Sequence, residues 1–108
     1  MLPPFVAVCA GSQNSNLKNW TQLTDTTSTT QVTQTVSALT AFNEICILFN
    51  TGTHSFSSVY PMSFFRTSGA FAYSHYTATT DYGQVIYQDD THIKMKVIGS
   101  GRVYAFAR

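Results

Sequence analysis

Side chains that commonly bind metal ions are few in this 108-residue sequence, and they lack the spacing of a metal site. The three histidines are His54, His75 and His92, and no two of them lie four residues apart. Neither Cys9 nor Cys46 stands at zinc-ligand spacing from a histidine or from the other cysteine. The pattern therefore predicts no metal site, and no motif indicates another cofactor.

Groups for acid–base or nucleophilic chemistry are present but form no catalytic motif. His54, Glu44 and a nearby serine are the residue types of a hydrolytic triad, although no serine stands in a nucleophile motif. Asp81, Asp89 and Asp90 could bind calcium from loops, but turn aspartates commonly accept hydrogen bonds from their own backbone. We therefore expect a non-catalytic protein and keep a small hydrolase as an alternative.

Tyrosine is the residue type that most suggests binding. The six tyrosines exceed what so small a core needs, and tyrosine is favoured at interfaces because its ring is apolar and its tip is polar. About half of them are expected at the edges of the core, with the hydroxyl in water. Tyr76 and Tyr82 flank the polar loop of residues 77–81, and they are the best candidates for contact with a partner.

Residues 43–50, NEICILFN, form the most apolar stretch of the chain. Residues 45–49 are apolar without interruption, which is typical of a strand buried on both faces. A helix is the rival interpretation, but the run is short and β-branched, and Asn50-Thr51-Gly52 follows it as a turn signal. The turn at residues 50–54 should lead into a second strand at residues 55–60 and form a hairpin.

Alternation of apolar and polar residues predicts further strands, which turn residues separate. These segments are residues 18–24, 31–36, 70–77, 82–88, 91–98 and 102–107. The last three are expected to form a meander, and residues 37–42 are either one helical turn or a loop. The predicted fold is therefore all-β, an antiparallel β-sandwich of about seven or eight strands.

Charge is scarce, since 10% of the residues are charged and the formal net charge is +1. Such a chain offers no basic surface for nucleic acid, and no segment is apolar and long enough for membrane insertion. Low charge gives little protection against self-association, so an assembled state is expected. Residues 1–16 are assigned to an entry segment or linker and residues 17–108 to one β-sandwich domain. Two cysteines are too few for a disulfide framework, and two free thiols are expected.

Four segments carry a resemblance to a known family. They are residues 19–23 (NWTQL), 42–47 (FNEICI), 60–64 (YPMSF) and 102–108 (RVYAFAR). The chain from Asn19 to Arg108 resembles the C-terminal tip domains of bacteriophage and prophage tail fibres. The resemblance implies a β-sandwich, usually a homotrimer, which sits on the virion and recognises a bacterial surface receptor such as a glycan.

Composition and resemblance together favour binding of a neutral saccharide on a bacterial surface, with a protein receptor as the other receptor class. A sugar ring packs on an aromatic face, and its hydroxyls pair with short polar side chains. The predicted binding residues lie on two loops and are Tyr76, Asp81, Tyr82, Asn50 and His54. A structural virion or fibre-assembly module without its own ligand is the alternative.

Overall fold

The computed structural model describes residues 19–67, 71–77 and 80–108, and these form an antiparallel β-sandwich of two four-stranded sheets. The strands are β1 (Thr21–Thr26), β2 (Val32–Thr35), β3 (Glu44–Asn50), β4 (Ser55–Pro61), β5 (Phe71–Thr77), β6 (Asp81–Asp89), β7 (His92–Ile98) and β8 (Arg102–Ala107). Sheet A has the strand order β1-β8-β3-β4, and sheet B has the order β2-β7-β6-β5. The predicted fold class is confirmed.

Strand β3 is buried on both faces, as its apolar run predicts. Each side chain from Ile45 to Phe49 is 0% exposed. Ile45, Ile47 and Phe49 belong to the main core between the sheets. Cys46 and Leu48 alternate with them and belong to a second cluster on the opposite face of sheet A. Burial of each large apolar side chain contributes about 1.5–3 kcal/mol, so β3 anchors the sandwich.

Strand β7 has one dry and one wetter face, in agreement with its alternating sequence. Ile93, Met95 and Val97 are buried in the main core. Lys94 and Lys96 lie between them in sequence and are half-buried on the outer face of sheet B. The pattern of period two was therefore sufficient to assign the two faces of this strand.

The predicted meander of the last three strands is wrong at its third strand. β6 pairs with β7, but β8 crosses to sheet A and pairs with β1 and β3. Both faces of β8 are apolar, so an interior position lets Val103 and Ala105 join the main core and Phe106 join the second cluster. Gly99 and Gly101 lie in the crossing with φ of 87° and 150°, where any other residue would be strained.

The second cluster lies on the outer face of sheet A. It consists of Trp20, Cys46, Leu48 and Phe106, with Tyr104 packed against it. The guanidinium carbon of Arg108 lies 4.5 Å from the centre of the Trp20 ring, a cation–π arrangement. Trp20 is therefore buried, but outside the main core.

Cys46 is disulfide-bonded, which corrects the expectation of two free thiols. The sequence contains one other cysteine, Cys9, which lies outside the described residues. Composition could not decide this point, because a chain with two cysteines can hold either thiols or a disulfide. Disulfides are typical of proteins that work in oxidising surroundings.

A one-turn helix, α1 (Met62–Phe65), follows β4 and was not predicted. Pro61 is the last residue of β4, as expected for a residue that cannot donate a ladder hydrogen bond. The helix buries Met62 and Phe65, whereas Phe64 is 56% exposed. One of the two aromatic residues in this segment therefore faces solvent.

Leu39–Ala41 forms a 3-10 helix, so the helical-turn alternative for residues 37–42 is the correct one. No helix in the described part of the chain is long and apolar enough to cross a membrane. The linker assigned to residues 1–16 lies outside the described residues.

Candidate functional site

The edge strands β4 of sheet A and β5 of sheet B meet at one side of the sandwich. The Tyr60 hydroxyl accepts a hydrogen bond from the Tyr73 backbone N–H at 3.1 Å and donates one to the Tyr73 carbonyl at 3.1 Å. These backbone groups point away from β6, on the side where no strand pairs with β5 because it is the edge strand of its sheet. The hydroxyl fixes β5 against β4, and both strands carry the aromatic residues described next.

Three rings lie together at one end of this edge, and we call them the end cluster: His54 of the β3–β4 turn, Phe56 of β4 and Tyr76 of β5. The His54 and Tyr76 rings are nearly parallel, with centroids 5.9 Å apart and planes 6° apart. Phe56 lies 5.4 Å from Tyr76 and 6.3 Å from His54. His54 is exposed and Tyr76 is 54% exposed, so the stack presents aromatic surface to solvent.

The turn between β3 and β4 places His54 beside these rings. The Asn50 carboxamide oxygen accepts a hydrogen bond from the Gly52 N–H at 2.9 Å, and its nitrogen donates to the Ser55 hydroxyl at 2.7 Å. The Thr51 N–H donates to the His54 carbonyl at 2.9 Å. Gly52 has a φ of 101°, which a glycine adopts at low cost. Asn50 therefore shapes the turn, and short polar side chains surround its tip.

A second group of rings lies on the outer face of sheet B, and we call it the face cluster: Tyr73, His75 and Tyr82. Tyr73 and His75 stack with centroids 5.4 Å apart. Tyr82 packs edge-on against both, at 5.5 Å from Tyr73 and 5.7 Å from His75. The register pairs His75 with Tyr82 across β5 and β6. All three rings therefore form one continuous patch.

The five predicted binding residues are distributed over two places. His54 and Tyr76 stack together in the end cluster, and Asn50 supports the turn that carries His54. Tyr82 belongs to the face cluster. Asp81 begins β6 and accepts a hydrogen bond from the Thr80 hydroxyl at 3.2 Å. Residues 78 and 79 of the proposed binding loop lie outside the described residues.

Three aromatic members of these clusters were not among the predicted binding residues: Phe56, Tyr73 and His75. All three lie in segments that were predicted only as strands, at residues 55–60 and 70–77. The signal was available for Tyr73 and His75, because they alternate on one strand and precede a strand that begins with Tyr82. Phe56 contacts Tyr76, which lies on the other sheet, and no local sequence pattern identifies this contact.

A polar contact network around Asp90 joins the turn between β6 and β7 to Arg66, which follows α1. Arg66 donates two hydrogen bonds to the Asp90 carboxylate, at 2.7 and 2.8 Å, and the Tyr87 hydroxyl donates a third at 2.8 Å. The Arg66 guanidinium and the Tyr87 hydroxyl hold the pKa of Asp90 below its usual value. The hydrogen bond to Asp90 raises the pKa of Tyr87, because the carboxylate of Asp90 holds the hydroxyl proton of Tyr87.

A shallow cleft of about 300 Å³ lies beside this network and is lined by Thr40, Phe42, Asn43, Met62, Ser63 and Arg66. The cleft is close to the start of β3, whereas His54 follows the end of that strand. Arg66 is already engaged by Asp90. The cleft and the end cluster are therefore separate sites.

The fold does not bring together His54 and Glu44, the two named members of the possible hydrolytic triad. Glu44 is held by Arg108, with Oε1 2.7 Å from Nε, at the start of β3. His54 follows the other end of this seven-residue strand, about 20 Å away at ~3.3 Å per residue. Its Nδ1 lies 3.0 Å from the Thr53 hydroxyl. Glu44 therefore cannot orient this imidazole.

Most carboxylates of the described residues contact an arginine or histidine side chain. Asp25 pairs with Arg102, and Asp89 lies 2.8 Å from His92 Nδ1 and accepts the Thr91 N–H. The hydrogen bond with His92 is the main cause that lowers the pKa of Asp89, and the hydrogen bond from the Thr91 N–H lowers it further. Among the described residues, no group of three or more histidines, cysteines or carboxylates could hold a metal ion.

Comparison with known proteins adds no relative. No protein-family model, no curated protein and no solved structure matches the chain.

Proposed function

We propose that this domain is a non-catalytic receptor-binding module that binds a saccharide on a bacterial surface through the end cluster. One observation carries the proposal: Tyr76 is 54% exposed while its ring is held parallel to His54. An exposed ring that is fixed by its neighbours loses little conformational freedom when a ligand packs on it. Such a pre-positioned aromatic surface suits the apolar face of a sugar.

The surroundings of the end cluster also suit a saccharide. The turn that carries His54 places the hydroxyls of Thr51 and Thr53 nearby, and both are in contact with His54. Hydroxyl groups can donate and accept hydrogen bonds, as sugar hydroxyls require. Contacts made by exposed side chains alone would each be weak, and several copies in a homotrimer would gain affinity through effective concentration.

The resemblance of residues 19–108 to phage and prophage tail-fibre tips is the source of the proposed context. In this context the domain sits on a virion, forms a homotrimer and contacts a bacterial glycan. The β-sandwich agrees with the fold that the resemblance implies. The disulfide at Cys46 suits a protein that works outside the reducing cytoplasm.

The proposal is tested by binding of the Tyr76→Ala variant to bacterial cells and to immobilised surface polysaccharides. We expect at least a tenfold loss of binding, because the exposed aromatic face is removed. Phe64→Ala is the matched control, since Phe64 is 56% exposed but lies on α1, where it stacks on Tyr60 at 6.4 Å. Equal losses for the two variants would reject the end cluster as the site.

The assembly state is tested separately by light scattering of the purified protein. A mass of three 11.9 kDa chains is expected at micromolar concentration. A monomer at high micromolar concentration would contradict the trimer. A trimer that binds no cell or polysaccharide would contradict the binding function and favour a structural module of the fibre.

A further inference from the structure

We propose that the outer face of sheet B is a second binding site, which takes a carboxylated saccharide such as a uronic acid oligomer. The site combines the face cluster with two lysines of β7, Lys94 and Lys96. It is distinct from the end cluster and does not depend on it. Three observations carry the proposal: the strand register, the pairing state of the charges, and the arrangement of the rings.

The register places an amine, an amide and an aromatic ring side by side on this face. Lys96 pairs with Gln84 across β7 and β6, and Gln84 pairs with Tyr73 across β6 and β5. Adjacent strands lie about 4.8 Å apart, so the row from Lys96 to Tyr73 spans about 10 Å. Gln84 is 7% exposed, so it is buried although it lies on the outer face of the sheet. The register therefore gives a row of three paired residues across β7, β6 and β5.

A neighbouring row supplies the second amine. Lys94 pairs with Ile86 on one side and with Thr33 of β2 on the other. Lys94 and Lys96 are two residues apart on one strand face, which places their Cα atoms about 7 Å apart. Their cross-strand neighbours are neutral, so no carboxylate beside them cancels the local positive charge.

The two lysines differ from the arginines of the described chain. Arg66, Arg102 and Arg108 each form a salt bridge with a carboxylate. Within residues 19–67, 71–77 and 80–108, neither Lys94 nor Lys96 has an ion pair. Among the described residues, the lysines without an ion pair therefore lie on one face, which also carries exposed His75.

The chemistry of this face fits an acidic sugar. The rings of Tyr73, His75 and Tyr82 offer a surface for the apolar face of one sugar residue. A lysine ammonium one or two strands away can bind the carboxylate of the next residue in a charge-assisted hydrogen bond. A neutral saccharide would use the rings alone. This face should therefore bind a carboxylated saccharide more tightly than a neutral one.

The test is calorimetric titration with a galacturonic acid trisaccharide and with the same trisaccharide after reduction of its carboxyl groups. The parent should bind the acidic form at least tenfold more tightly, since a hydrogen bond to a charged group contributes about 1.5–3 kcal/mol. Binding should weaken as salt rises, because the lysines are partly exposed. The variant with Lys94→Gln and Lys96→Gln should bind both forms equally weakly.

Two controls locate the effect. Arg102→Gln removes the same charge from a residue of sheet A, and Phe64→Ala removes an exposed ring of α1; both should leave the acidic affinity within about twofold. Amide shifts at Tyr73, Gln84 and Lys96 on ligand addition should map the site. Equal affinity of the parent for the two trisaccharides, an unchanged lysine variant, or shifts confined to His54 and its neighbours would overturn the proposal. The Tyr76 test of the end cluster uses bacterial cells and immobilised polysaccharides, so it can succeed or fail independently of the lysine variant.

Discussion

The hydroxyl of Tyr60 holds both backbone groups of Tyr73, at 3.1 Å to the nitrogen and 3.1 Å to the oxygen. Tyr73 lies on an edge strand, where its outward N–H and carbonyl would otherwise need water or another chain. One side chain of sheet A thus satisfies the edge of sheet B and links the sheets. The same strand carries Tyr76 and His75, so this link also positions both ring clusters.

Replacement of Tyr60 by phenylalanine should destabilise the domain by about 1–3 kcal/mol. Each of the two lost hydrogen bonds contributes about 0.5–1.5 kcal/mol, and the ring itself is retained. Urea unfolding followed by circular dichroism measures the change. Hydrogen exchange should become faster at the Tyr73 amide in particular, because its acceptor is removed.

Tyr76→Phe is the control for this change, since it removes an exposed hydroxyl from the adjoining strand. Its stability should lie within ~0.5 kcal/mol of the parent, as for most surface substitutions. A Tyr60→Phe variant as stable as the control, with the Tyr73 amide still protected, would show that the hydroxyl bridge does not hold the edges together.

The sequence predicted the strands of this fold well because each strand carries a local pattern. The buried run of residues 45–49 and the alternation from Ile93 to Val97 both follow from side-chain direction along a strand. Sheet membership is different, because it depends on partners distant in sequence. The short Gly99-Ser100-Gly101 connection suggested a third meander strand, yet β8 is buried on both faces and lies between β1 and β3.

The candidate site was only partly predictable for a related reason. His54 and Tyr76 were both chosen from their loop positions, and they do stack, but nothing in the sequence places them together. Phe56 joins them through contact between the two sheets. Tyr82 was grouped with Tyr76 because one loop connects them. Their ring contacts are instead with different partners, since Tyr82 packs on the outer face of sheet B.

Replacement of Ile47 by aspartate should abolish folding. Ile47 is 0% exposed in the centre of β3, and a buried carboxylate without a partner costs several kcal/mol. This cost is comparable to the whole stability of a small domain. Thermal unfolding should show no cooperative transition, and the amide signals in an NMR spectrum should lose their dispersion.

The control is Val59→Asp on the neighbouring strand β4. Val59 is 45% exposed, so its carboxylate remains hydrated and the free energy of unfolding should change by no more than ~0.5 kcal/mol. Cooperative melting of the Ile47→Asp variant within a few degrees of the parent would contradict the central position of β3.

Stability should depend on Asp90 in a defined pH range. Its pKa in the folded protein is lowered, chiefly by Arg66, so the carboxylate stabilises the fold at pH above its unfolded pKa, about 3.9. This contribution is lost as the pH falls through the folded value. Asp90→Asn should therefore melt below the parent at pH 7, and the difference should shrink towards zero near pH 2.

Arg66→Gln is the matching variant, because it removes the main cause of the lowered pKa. It should show the same convergence with the parent in acid, and combining it with Asp90→Asn should add little at pH 7. A difference between the parent and Asp90→Asn that is constant from pH 7 to pH 2 would rule out the ion pair as its origin.

Gly83 marks a close approach between the two sheets. A Cβ atom on this residue would lie 2.4 Å from Val103 Cγ2, 2.6 Å from Val103 Cβ and 3.3 Å from the Phe49 ring. The nearest atoms lie close to the backbone of β8 and cannot swing away. Gly83→Ala should therefore destabilise the domain by about 1–3 kcal/mol, as overpacking of a core does. Urea unfolding provides the measurement.

A double-mutant cycle separates this steric effect from a backbone effect of alanine. Val103→Ala alone should destabilise the domain, because it leaves a cavity in the main core. In combination with Gly83→Ala, the contact with Val103 Cγ2 at 2.4 Å is removed and only that with Cβ at 2.6 Å remains, so the double variant should be more stable than the sum of the single changes predicts by about 0.5–3 kcal/mol. Simple additivity would mean that the methyl group added by Gly83→Ala is accommodated without contact with Val103. In that case the sheets at this point are not packed as closely as the 2.4 Å approach implies.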